Sequence, residues 1–325
     1  MSAVKNKKLR YLSLFSGIGA FEKALDRIGI EYELVRYCEI DKYASKSYSA
    51  VHGVSEDLNL GDITEINLDE LSELGEIDLI THGSPCQDFS IAGRQAGADR
   101  GSETRSSLMW NTVDIVERIQ PKYVLWENVK NIMGVKHRHN FESYIKIMDD
   151  LGYNSYYQVL NAKDYGIPQN RERVYTVSIR KDIDLITGYK FEFPEEQELK
   201  LKLKDMLEKS VDEKYYLSEK MLNFFKKHNE KQAKKGNGFK FEITEGNCIA
   251  KSITTRVGAC RTDDNYIGTK VRKLTPKECW RLMGFGDEDF EKAKNIGTSD
   301  TQLYKQAGNS IVVNVLEAVF TNLLK

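Results

Sequence analysis

Cys86 and Glu127 are distant in the sequence, but their residue types and their settings favour joint chemistry. Each follows a predicted buried strand, Cys86 within Gly83–Ser90 and Glu127 directly after Trp126. A lone cysteine is usually a small buried hydrophobe, whereas a thiolate beside a carboxylic acid can add to an electrophilic carbon while the acid handles a proton. The carboxyl ends of parallel strands meet over one ligand crevice. The two residues therefore predict nucleophilic catalysis at that edge of a sheet.

A glycine-containing turn lies where the first predicted strand meets the first predicted helix. Phe15-Ser16-Gly17-Ile18-Gly19 lets the backbone approach a ligand. Glu39 follows Gly19 by 20 residues, the offset of a carboxylate that meets ribose hydroxyls. Glu22 stands where a dinucleotide motif has its third glycine, and Asp62 comes at the next turn. We therefore expect a nucleoside ligand without a pyrophosphate, with a purely structural turn as the alternative.

The segment that follows the cysteine is polar and contains several glycines. Residues Ser90–Ser107 include Gly93, Gly97 and Gly101. Such a composition suits a loop that closes over a bound substrate. We expect this loop to act as a lid over Cys86.

The first half of the chain alternates short apolar runs with helical periodicity, which predicts βαβ units and a parallel sheet. The predicted strands are Tyr11–Phe15, Leu34–Cys38, Ile77–Thr81, Tyr123–Trp126, Tyr156–Leu160 and Val174–Ile179. The predicted helices are Ala20–Ile28, Asp41–His52, Leu108–Ile119, Phe141–Leu151 and Ser310–Leu324. Ser310 is a plausible N-cap of the last helix. Because this helix has one apolar face, we expect the tail to return to the core of the first domain.

The character of the chain changes near Lys181. Residues 195–240 are rich in lysine and glutamate and lack the βαβ rhythm. The lysines that cluster there are Lys226, Lys227, Lys231, Lys234 and Lys235. A solvated helix and turn would explain them, and so would a surface that contacts a nucleic-acid backbone. Both interpretations stay open from the sequence.

The bulk composition excludes several classes of protein. The formal net charge of −1, from 48 basic and 49 acidic residues, rules out a uniformly basic coat, so a DNA-binding face must concentrate its positive charge. The five cysteines are scattered without a C-x-x-C pair, so we expect neither a disulfide framework nor a metal site. His137 and His139 are expected in a solvated loop. We find no signal peptide or membrane-spanning run and expect a cytoplasmic enzyme.

Taken as a set, the motifs resemble the DNA (cytosine-5) methyltransferase family of bacterial and phage type, in the family's order and over nearly the whole chain. They are Phe15-Ser16-Gly17-Ile18-Gly19, Glu39-Ile40-Asp41, Gly61-Asp62-Ile63, Ser84-Pro85-Cys86-Gln87, Glu127-Asn128-Val129, Gln169-Asn170-Arg171-Glu172-Arg173, Leu274-Thr275-Pro276-Lys277-Glu278-Cys279 and Gln306-Ala307-Gly308-Asn309-Ser310. Two departures are minor: Ser16 stands where alanine is frequent, and Ser84 where phenylalanine or proline often precedes the Pro-Cys pair.

The resemblance implies a Rossmann-like α/β fold that binds S-adenosylmethionine and a role for each motif. The implied catalytic residues are Cys86 as nucleophile, Glu127 at the cytosine edge, and Arg171 and Arg173 near the base and the thiol. The implied cofactor-binding residues are Phe15, Gly17, Ile18, Gly19, Glu39, Ile40, Asp62, Ile63, Pro85, Leu108, Asn309 and Ser310. The implied DNA-binding residues are Ser90, Arg94, Thr254 and Arg256. No metal is implied.

The same resemblance implies a domain plan and partners. A catalytic domain would span residues 1–186 and be completed by 305–325, with a smaller target-recognition domain at 187–280 and a return segment at 281–304. The partner would be double-stranded DNA, with no membrane contact, and the enzyme would act as a monomer. A cognate restriction endonuclease is a candidate partner, and a solitary or phage-borne role is the alternative. The sequence does not give the target site.

The implied reaction methylates carbon 5 of cytosine and leaves S-adenosylhomocysteine. Thiolate addition at carbon 6 makes carbon 5 nucleophilic. A neutral Glu127 would donate to ring nitrogen 3, which requires a carboxyl pKa raised by burial beside Trp126. Arg171 or Arg173 would stabilise the thiolate, and the cytosine must be flipped out of the duplex. The base that removes the carbon 5 proton is not identified.

Three other functions fit parts of the pattern. A tRNA cytosine-5 methyltransferase shares the motifs, and methylation of plasmid against total tRNA separates the two. A silent nucleic-acid-binding module has no need of Cys86, Glu127, Arg171 and Arg173. A nicotinamide dehydrogenase is disfavoured by Glu22 and leaves the cysteine unexplained.

Overall fold

The structure is a computed structural model that describes residues 8–89, 97–102, 104–188, 190–234 and 241–324. The chain divides into two compact units. The first unit contains Met1–Leu160, Glu172–Glu195 and Leu316–Lys325, and the second unit contains Asn161–Arg171 and Glu196–Val315.

Strands and helices alternate along the first part of the chain, whereas helices dominate its last part. The elements up to the end of the central sheet are β1 (Leu9–Leu14), α1 (Ala20–Arg27), β2 (Tyr32–Cys38), α2 (Lys42–His52), α3 (Leu68–Ser72), β3 (Leu79–His82), α4 (Met109–Ile119), β4 (Tyr123–Val129), α5 (Arg138–Asp150), β5 (Tyr153–Asn161), β6 (Gln169–Asn170), β7 (Glu172–Arg180) and α6 (Lys181–Thr187). The later elements are α7 (Glu219–Lys234), β8 (Ile243–Thr244), β9 (Ala250–Lys251), β10 (Tyr266–Ile267), β11 (Arg272–Lys273), α8 (Pro276–Leu282), α9 (Asp287–Asn295), α10 (Asp300–Asn309) and α11 (Val313–Leu324).

A six-stranded sheet in the order β2-β1-β3-β4-β7-β5 forms the centre of the first unit. Strands β2, β1, β3 and β4 pair in parallel, and their register aligns Cys38, Leu14, His82 and Trp126 in one row. This row marks the carboxyl ends of β2, β1 and β3, whereas β4 continues past it to Val129. The loops that follow them therefore emerge at one edge of the sheet, as predicted for a ligand crevice.

The expectation of an entirely parallel sheet is wrong at β7, which pairs antiparallel with β4. Parallel neighbours need a crossover of a dozen or more residues, usually a helix. Residues 162–171, which join β5 to β7, are too few for one. The sheet is mixed, and the Rossmann-like α/β class is confirmed.

The tail of the chain returns to the first unit, as expected from its apolar face. The ring of Phe320 on α11 packs against that of Phe21 on α1, with the ring centroids 6.4 Å apart. Nearby, the Arg27 guanidinium pairs with the Glu317 carboxylate at 2.7 Å. The last turns of α11 therefore belong to the core that α1 covers.

The predicted start of the last helix at Ser310 is wrong. Ser310 is the C-cap of α10, which ends at Asn309, and α11 begins at Val313. The backbone at Ser310 is extended, with φ −72° and ψ 163°, and its carbonyl accepts a hydrogen bond of 2.8 Å from Arg171 Nη2. A continuous helix would need that carbonyl for its own next turn. The guanidinium therefore stabilises the break.

The second unit combines short strands with helices. Its apolar cluster consists of Phe225, Phe241, Tyr266 and Val271. Helix α8 begins at a capping box, because Thr275 accepts from the Glu278 N–H while the Glu278 carboxylate accepts from the Thr275 N–H. The lysine cluster predicted as a solvated helix or a nucleic-acid surface lies largely on α7, which also supplies Phe225 to the apolar cluster.

One stretch, Asp300–Leu324, has the length and mean hydropathy of a membrane span. The chain is interrupted within it between α10 and α11. More than half of its most apolar window is buried inside the protein. Both features are those of core helices.

The compact units do not follow the domain bounds expected from the resemblance. Asn161–Arg171 belongs with the second unit, and Leu316 rather than residue 305 begins the returning segment of the first. Compactness reflects backbone contacts, whereas the expected division is functional. The assignment of residues 187–280 to target recognition therefore stays a prediction.

Candidate active site

Cys86 lies in the loop that follows β3. Its carbonyl accepts from the Phe89 N–H at 3.1 Å, which closes a turn, and its thiol is half-buried. Other thiols contrast with it: burial is the main cause that raises the pKa of Cys38 to about 12, and it also raises the pKa of the buried Cys279. Protonated, buried thiols are inert. Cys86 is therefore better suited to be a nucleophile than either of them.

Ser84 ties the Cys86 loop to the neighbouring strand β4. Its hydroxyl accepts hydrogen bonds from Trp126 Nε1 at 3.0 Å and from Asn128 Nδ2 at 3.3 Å. The Ser84 carbonyl also accepts from Asn128 Nδ2 at 3.3 Å. Trp126 and Asn128 are the two neighbours of Glu127, so the cysteine loop is fixed on both sides of the candidate acid.

Glu127 is buried and forms an ion pair with Arg173. Arg173 Nε lies 3.2 Å from Glu127 Oε1, and both side chains are largely covered. The antiparallel register of β4 and β7 sets this contact, because Arg173 stands opposite Val129, one pleat from Glu127. The structure thus brings together one predicted arginine and the predicted acid.

An aromatic layer supports the row of strand ends behind Glu127. The His82 ring stacks on Trp126 with an interplanar angle of 3° and a centroid distance of 5.5 Å. Tyr144 packs against Trp126 at 4.3 Å. Burial lowers the pKa of His82 to about 3, so the ring is neutral at physiological pH. The layer holds β3 and β4 in register without adding charge.

The ends of the predicted lid are firmly attached to the first unit. Ser106 Oγ accepts from the Asp88 N–H, and Asp88 Oδ2 accepts from the Ser106 N–H, each at 3.1 Å. Trp110 Nε1 donates to the Ala98 carbonyl at 2.7 Å. Ser90 and Arg94, two of the predicted DNA contacts, lie outside the described residues. These hydrogen bonds secure the chain on both sides of residues 90–96.

The glycine turn after β1 is shaped by left-handed backbone. Phe15, Gly17 and Gly19 have φ of 53°, 57° and 81°. A Cβ on Gly19 would lie 2.0 Å from His52 Nε2, so only glycine fits there. The Ser16 hydroxyl donates to the carbonyls of Ser13 and Cys38 at 3.1 and 3.3 Å. Serine at the position where alanine is frequent therefore links the ends of β1 and β2.

Glu39 and Asp62 occupy the loops after β2 and before β3. Glu39 Oε2 accepts from the Gly17 N–H at 2.9 Å and Oε1 accepts from the Asp41 N–H at 2.7 Å. Asp62 Oδ1 caps a short 3-10 turn by accepting from the Thr64 N–H at 2.9 Å. Both carboxylates are half-buried and held in place. Each retains lone pairs that can accept from a ligand.

The remaining predicted cofactor residues of the first unit differ in exposure. Ile40 is 69% exposed, an unusual state for a large apolar side chain beside a fixed carboxylate. Phe15, Pro85 and Leu108 are half-buried, whereas Ile18 and Ile63 are buried in the core. A fixed carboxylate beside uncovered apolar surface fits a nucleoside with a hydroxylated ribose and an apolar base face. The residues present therefore fit the implied cofactor.

Arg171 lies in the second unit and is nearly fully buried. Its Nη1 donates to the Ile253 carbonyl at 2.6 Å, and its Nη2 donates to the carbonyls of Ser310 at 2.8 Å and Gly308 at 3.4 Å. These three partners are backbone groups, and Nη1 also donates to the Ser252 hydroxyl at 3.4 Å. Arg171 and Arg173 thus differ in environment although they belong to one motif.

Thr254 and Arg256 lie on an exposed turn between buried Ile253 and Val257. The Val257 N–H donates to the Thr254 carbonyl at 3.0 Å and closes the turn. Such a turn presents polar side chains on a fixed base. Its contact with DNA stays a prediction.

Asn309 and Ser310, the last predicted cofactor residues, end α10 in the second unit. Asn309 is exposed and Ser310 is buried. Their contribution to the cofactor pocket stays a prediction.

Sequence reasoning gave no role to Ser84, Asn128 or Gln169, although all three lie within the quoted motifs. Each is buried, and each uses its side chain to hold backbone or another site residue. Their structural role could have been predicted from the residue types in the motifs, because buried amide and hydroxyl groups must find hydrogen-bond partners.

The predicted solvated loop at His137 and His139 is wrong, because His137 is buried and His139, although exposed, is helical. His137 is buried against Phe89, which lowers its pKa. His139 is on the first turn of α5, with Nε2 at 2.7 Å from Asp99 Oδ1. Among the residues that the structure describes, no group of His, Cys, Asp and Glu side chains is arranged to hold a metal ion.

Comparison with known sequences gives a family and close relatives. Residues 9–325 match the family described as C-5 cytosine-specific DNA methylase. The orphan methyltransferase M.SPRI of Bacillus phage SPR is 32% identical, with 98% of each chain covered. The type II methyltransferase M2.ScrFI of Lactococcus lactis subsp. cremoris is 35% identical over 98% of this chain and 99% of its own. The type II methyltransferase M.HhaI of Haemophilus parahaemolyticus is 34% identical over 99% and 97%.

Solved structures agree on the fold. The Dnmt2 methyltransferase of S. pombe superimposes with a TM-score of 0.75 at 22% identity, covering 98% of both chains. The Entamoeba histolytica methyltransferase EhMeth gives a TM-score of 0.77 at 19% identity, covering 98% of this chain and all of its own.

Proposed function

Because the chain belongs to the C-5 cytosine-specific DNA methylase family and is a DNA (cytosine-5-)-methyltransferase, we propose that it methylates cytosine in a specific double-stranded DNA sequence through a covalent bond to Cys86. One observation carries the proposal most directly. Ser84 ties the Cys86 loop to Trp126 and Asn128, which flank the buried Glu127–Arg173 pair. A nucleophile and an acid are thus tied to one edge of the sheet.

S-adenosylmethionine, when bound, supplies an electrophilic methyl group. The residues that would hold it are those at the carboxyl ends of β1, β2 and β3. Glu39 would accept from the ribose hydroxyls and Asp62 from the adenine amino group, while Phe15 and Ile40 would cover the apolar faces. Asn309 and Ser310 would complete the pocket, and S-adenosylhomocysteine would leave it as product.

Cys86 would act first, as a thiolate. Its sulfur forms a bond to carbon 6 of cytosine, and the electrons of the carbon 5–carbon 6 double bond move toward carbon 5 and ring nitrogen 3. Carbon 5 then takes the methyl group. Free cysteine titrates near ~8.5, so a positive group near the thiol would raise the fraction of thiolate, and Arg173 is the candidate.

Glu127 would neutralise the charge that develops on ring nitrogen 3. The Arg173 guanidinium at 3.2 Å favours the carboxylate form before the base enters. The acid must therefore take up a proton from water before the cytosine covers the site, and burial by the bound base would then favour the neutral form. Glu127 then donates to nitrogen 3 as the sulfur adds.

The reaction ends with elimination. A base, which the protein residues do not identify, removes the proton from carbon 5. The sulfur–carbon 6 bond breaks, the ring double bond forms again, and Cys86 is released as thiolate. Cytosine inside a duplex cannot reach the thiol, so the base must be flipped out at a cost of a few kcal/mol.

DNA would be held by several elements. Thr254 and Arg256, on the exposed turn of the second unit, would contact the backbone near the flipped base. Residues 187–280 would read the sequence. We propose that the enzyme acts as a cytoplasmic monomer without a metal.

The relatives are named both type II and orphan methyltransferases. A cognate restriction endonuclease and a solitary role both remain compatible with this chain.

The test is expression in a host that lacks cytosine-5 methylation, followed by bisulfite sequencing of its DNA. The proposed function predicts complete methylation at one short sequence, and none with Cys86→Ala. Cys248→Ala is the matched control, because that thiol is exposed and lies in the second unit. Methylation of total tRNA but not of DNA would contradict the proposal.

A further inference from the structure

Two buried side chains of the Gln169–Arg173 motif hold a single residue, Ile253, by both of its backbone groups. Gln169 Oε1 accepts from the Ile253 N–H at 2.8 Å, and Arg171 Nη1 donates to the Ile253 carbonyl at 2.6 Å. Gln169 is fully buried and Arg171 is 5% exposed. Ile253 directly precedes Thr254 and the exposed turn that carries Arg256. The start of this turn is therefore fixed from both sides.

The other ends of the same two side chains reach different parts of the second unit. Gln169 Nε2 donates to the Leu282 carbonyl at 2.7 Å. Arg171 Nη2 donates to the carbonyls of Ser310 and Gly308. Arg171 thus joins the start of the turn to the segment that carries Asn309 and Ser310.

The backbone at Gly308 lies directly on the turn. A Cβ built on this glycine would lie 2.3 Å from both the carbonyl carbon of Thr254 and the nitrogen of Thr255. Real Cβ atoms do not approach backbone so closely. The peptide between Thr254 and Thr255 therefore packs against α10 with no room for a side chain.

We propose that Gln169 and Arg171 are positioning residues that make the Thr254–Arg256 turn and the Gly308–Ser310 segment one rigid element, and that this element couples DNA binding to cofactor binding. The inference rests on the proposed function, which assigns DNA contact to Thr254 and Arg256 and cofactor contact to Asn309 and Ser310. Because the element is rigid, a ligand that fixes the position of one part also fixes the other, so the two ligands favour each other's binding.

The proposal divides the motif by role. Arg173 pairs with Glu127 and, under the proposed function, would act on the chemistry of the base. Arg171 acts through the backbone of Ile253 and does not touch the substrate. Replacement of each arginine by lysine keeps the charge but removes the fork of donors that serves two acceptors at once. The two variants should therefore fail in different ways.

The first experiment measures kcat and KM for DNA in Arg171→Lys and Arg173→Lys. Arg171→Lys should raise KM for DNA about tenfold while kcat changes by less than about twofold. Arg173→Lys should lower kcat by about 100-fold or more. Arg281→Lys is the control, because Arg281 also donates to a backbone carbonyl, that of Met206, away from the turn. An unchanged KM with reduced kcat in Arg171→Lys would overturn the positioning role.

The second experiment tests coupling by binding alone, with duplex DNA that carries the methylated site. S-adenosylhomocysteine should tighten DNA binding by the wild-type enzyme by a factor of about 5 or more. In Arg171→Lys the factor should fall to about 1. Equal DNA affinity with and without S-adenosylhomocysteine in the wild type would refute the coupling.

Gly308→Ala gives a second disruption of the same element, since its Cβ would push the turn away from α10 while the Arg171 side chain itself is unchanged. It should reproduce the loss of coupling and the raised KM for DNA. Gly286→Ala is its control, because a Cβ there would make only an ordinary 3.5 Å contact with Asp289. Wild-type coupling retained in folded Gly308→Ala would contradict the proposal. A wild-type enzyme that methylates no DNA would refute the proposed function before any variant is measured.

Discussion

Trp126 Nε1 donates a 3.0 Å hydrogen bond to the hydroxyl of Ser84, two residues before Cys86 and across the boundary between β3 and β4. Asn128 donates to the same hydroxyl from the other side of Glu127. Ser84 is buried, so these bonds are protected from water. A single serine thereby links the Cys86 loop to both sequence neighbours of Glu127.

Ser84→Ala should loosen this arrangement. It removes the acceptor of Trp126 Nε1 and one of the two acceptors of Asn128 Nδ2, and an unsatisfied buried donor costs about 1–3 kcal/mol. We expect the free energy of unfolding to fall by about that amount, and kcat to fall about tenfold or more because the thiol is less well placed. Urea denaturation and steady-state methylation measure the two effects. Ser155→Ala, which removes a half-buried hydroxyl from the Ser178 pair, should leave kcat unchanged.

Glu127→Gln should separate binding from chemistry. The amide keeps the size of the side chain but cannot give up a proton to ring nitrogen 3. We expect kcat to fall by about 10²–10⁴ while the dissociation constant for DNA changes little. Stopped-flow methylation and fluorescence anisotropy measure the two quantities. Retained kcat in this variant would remove Glu127 from the mechanism.

His82 should make the stability of the protein depend on pH. Its folded pKa of about 3 lies below the unfolded value near ~6.5. Between these two pH values the unfolded chain binds one more proton than the folded chain. His82 therefore lowers the free energy of unfolding as the pH falls through this window, and it has no effect at higher pH. The slope should be about 1.4 kcal/mol per pH unit. His82→Phe keeps the stack on Trp126 and should flatten the difference in unfolding free energy between pH 6 and 4; an unchanged slope would show that another group titrates.

Glu39→Gln should weaken cofactor binding. One of the two oxygens that accept from Gly17 and Asp41 becomes a donor, and the charge that attracts ribose hydroxyls is lost. We expect the dissociation constant for S-adenosylhomocysteine to rise about tenfold or more, as calorimetry would show. DNA affinity without cofactor should be unchanged. Glu33→Gln, which breaks an exposed ion pair with Arg10 on the same strand pair, is the control.

The parts of the site that follow strand ends were predictable from sequence. The turn at Phe15–Gly19, Glu39 and Cys86 all stand at the ends of apolar runs, and parallel register places such ends in one row. Local patterns are enough here, because the last residues of β1 and all of β3 are buried on both faces and so read as short apolar runs.

The features that depend on distant partners were not predictable. Ser310 has the residue type and spacing of an N-cap, but a buried guanidinium from Arg171 takes its carbonyl and breaks the helix. The reversal of β7 depends on the short connection after β5. His137 is polar in sequence yet buried against Phe89. In each case a tertiary contact overrides the local preference.

The most direct test of the covalent mechanism is capture on duplex DNA in which 5-fluorocytosine replaces the target cytosine of the methylated site. Because fluorine at carbon 5 blocks the final elimination, the sulfur of Cys86 should stay bonded to carbon 6. We predict a protein–DNA complex that survives denaturing electrophoresis in the presence of S-adenosylmethionine, with Cys86 as the modified residue by mass spectrometry. A complex that dissociates on denaturation, or one formed equally well by Cys86→Ala, would contradict the mechanism.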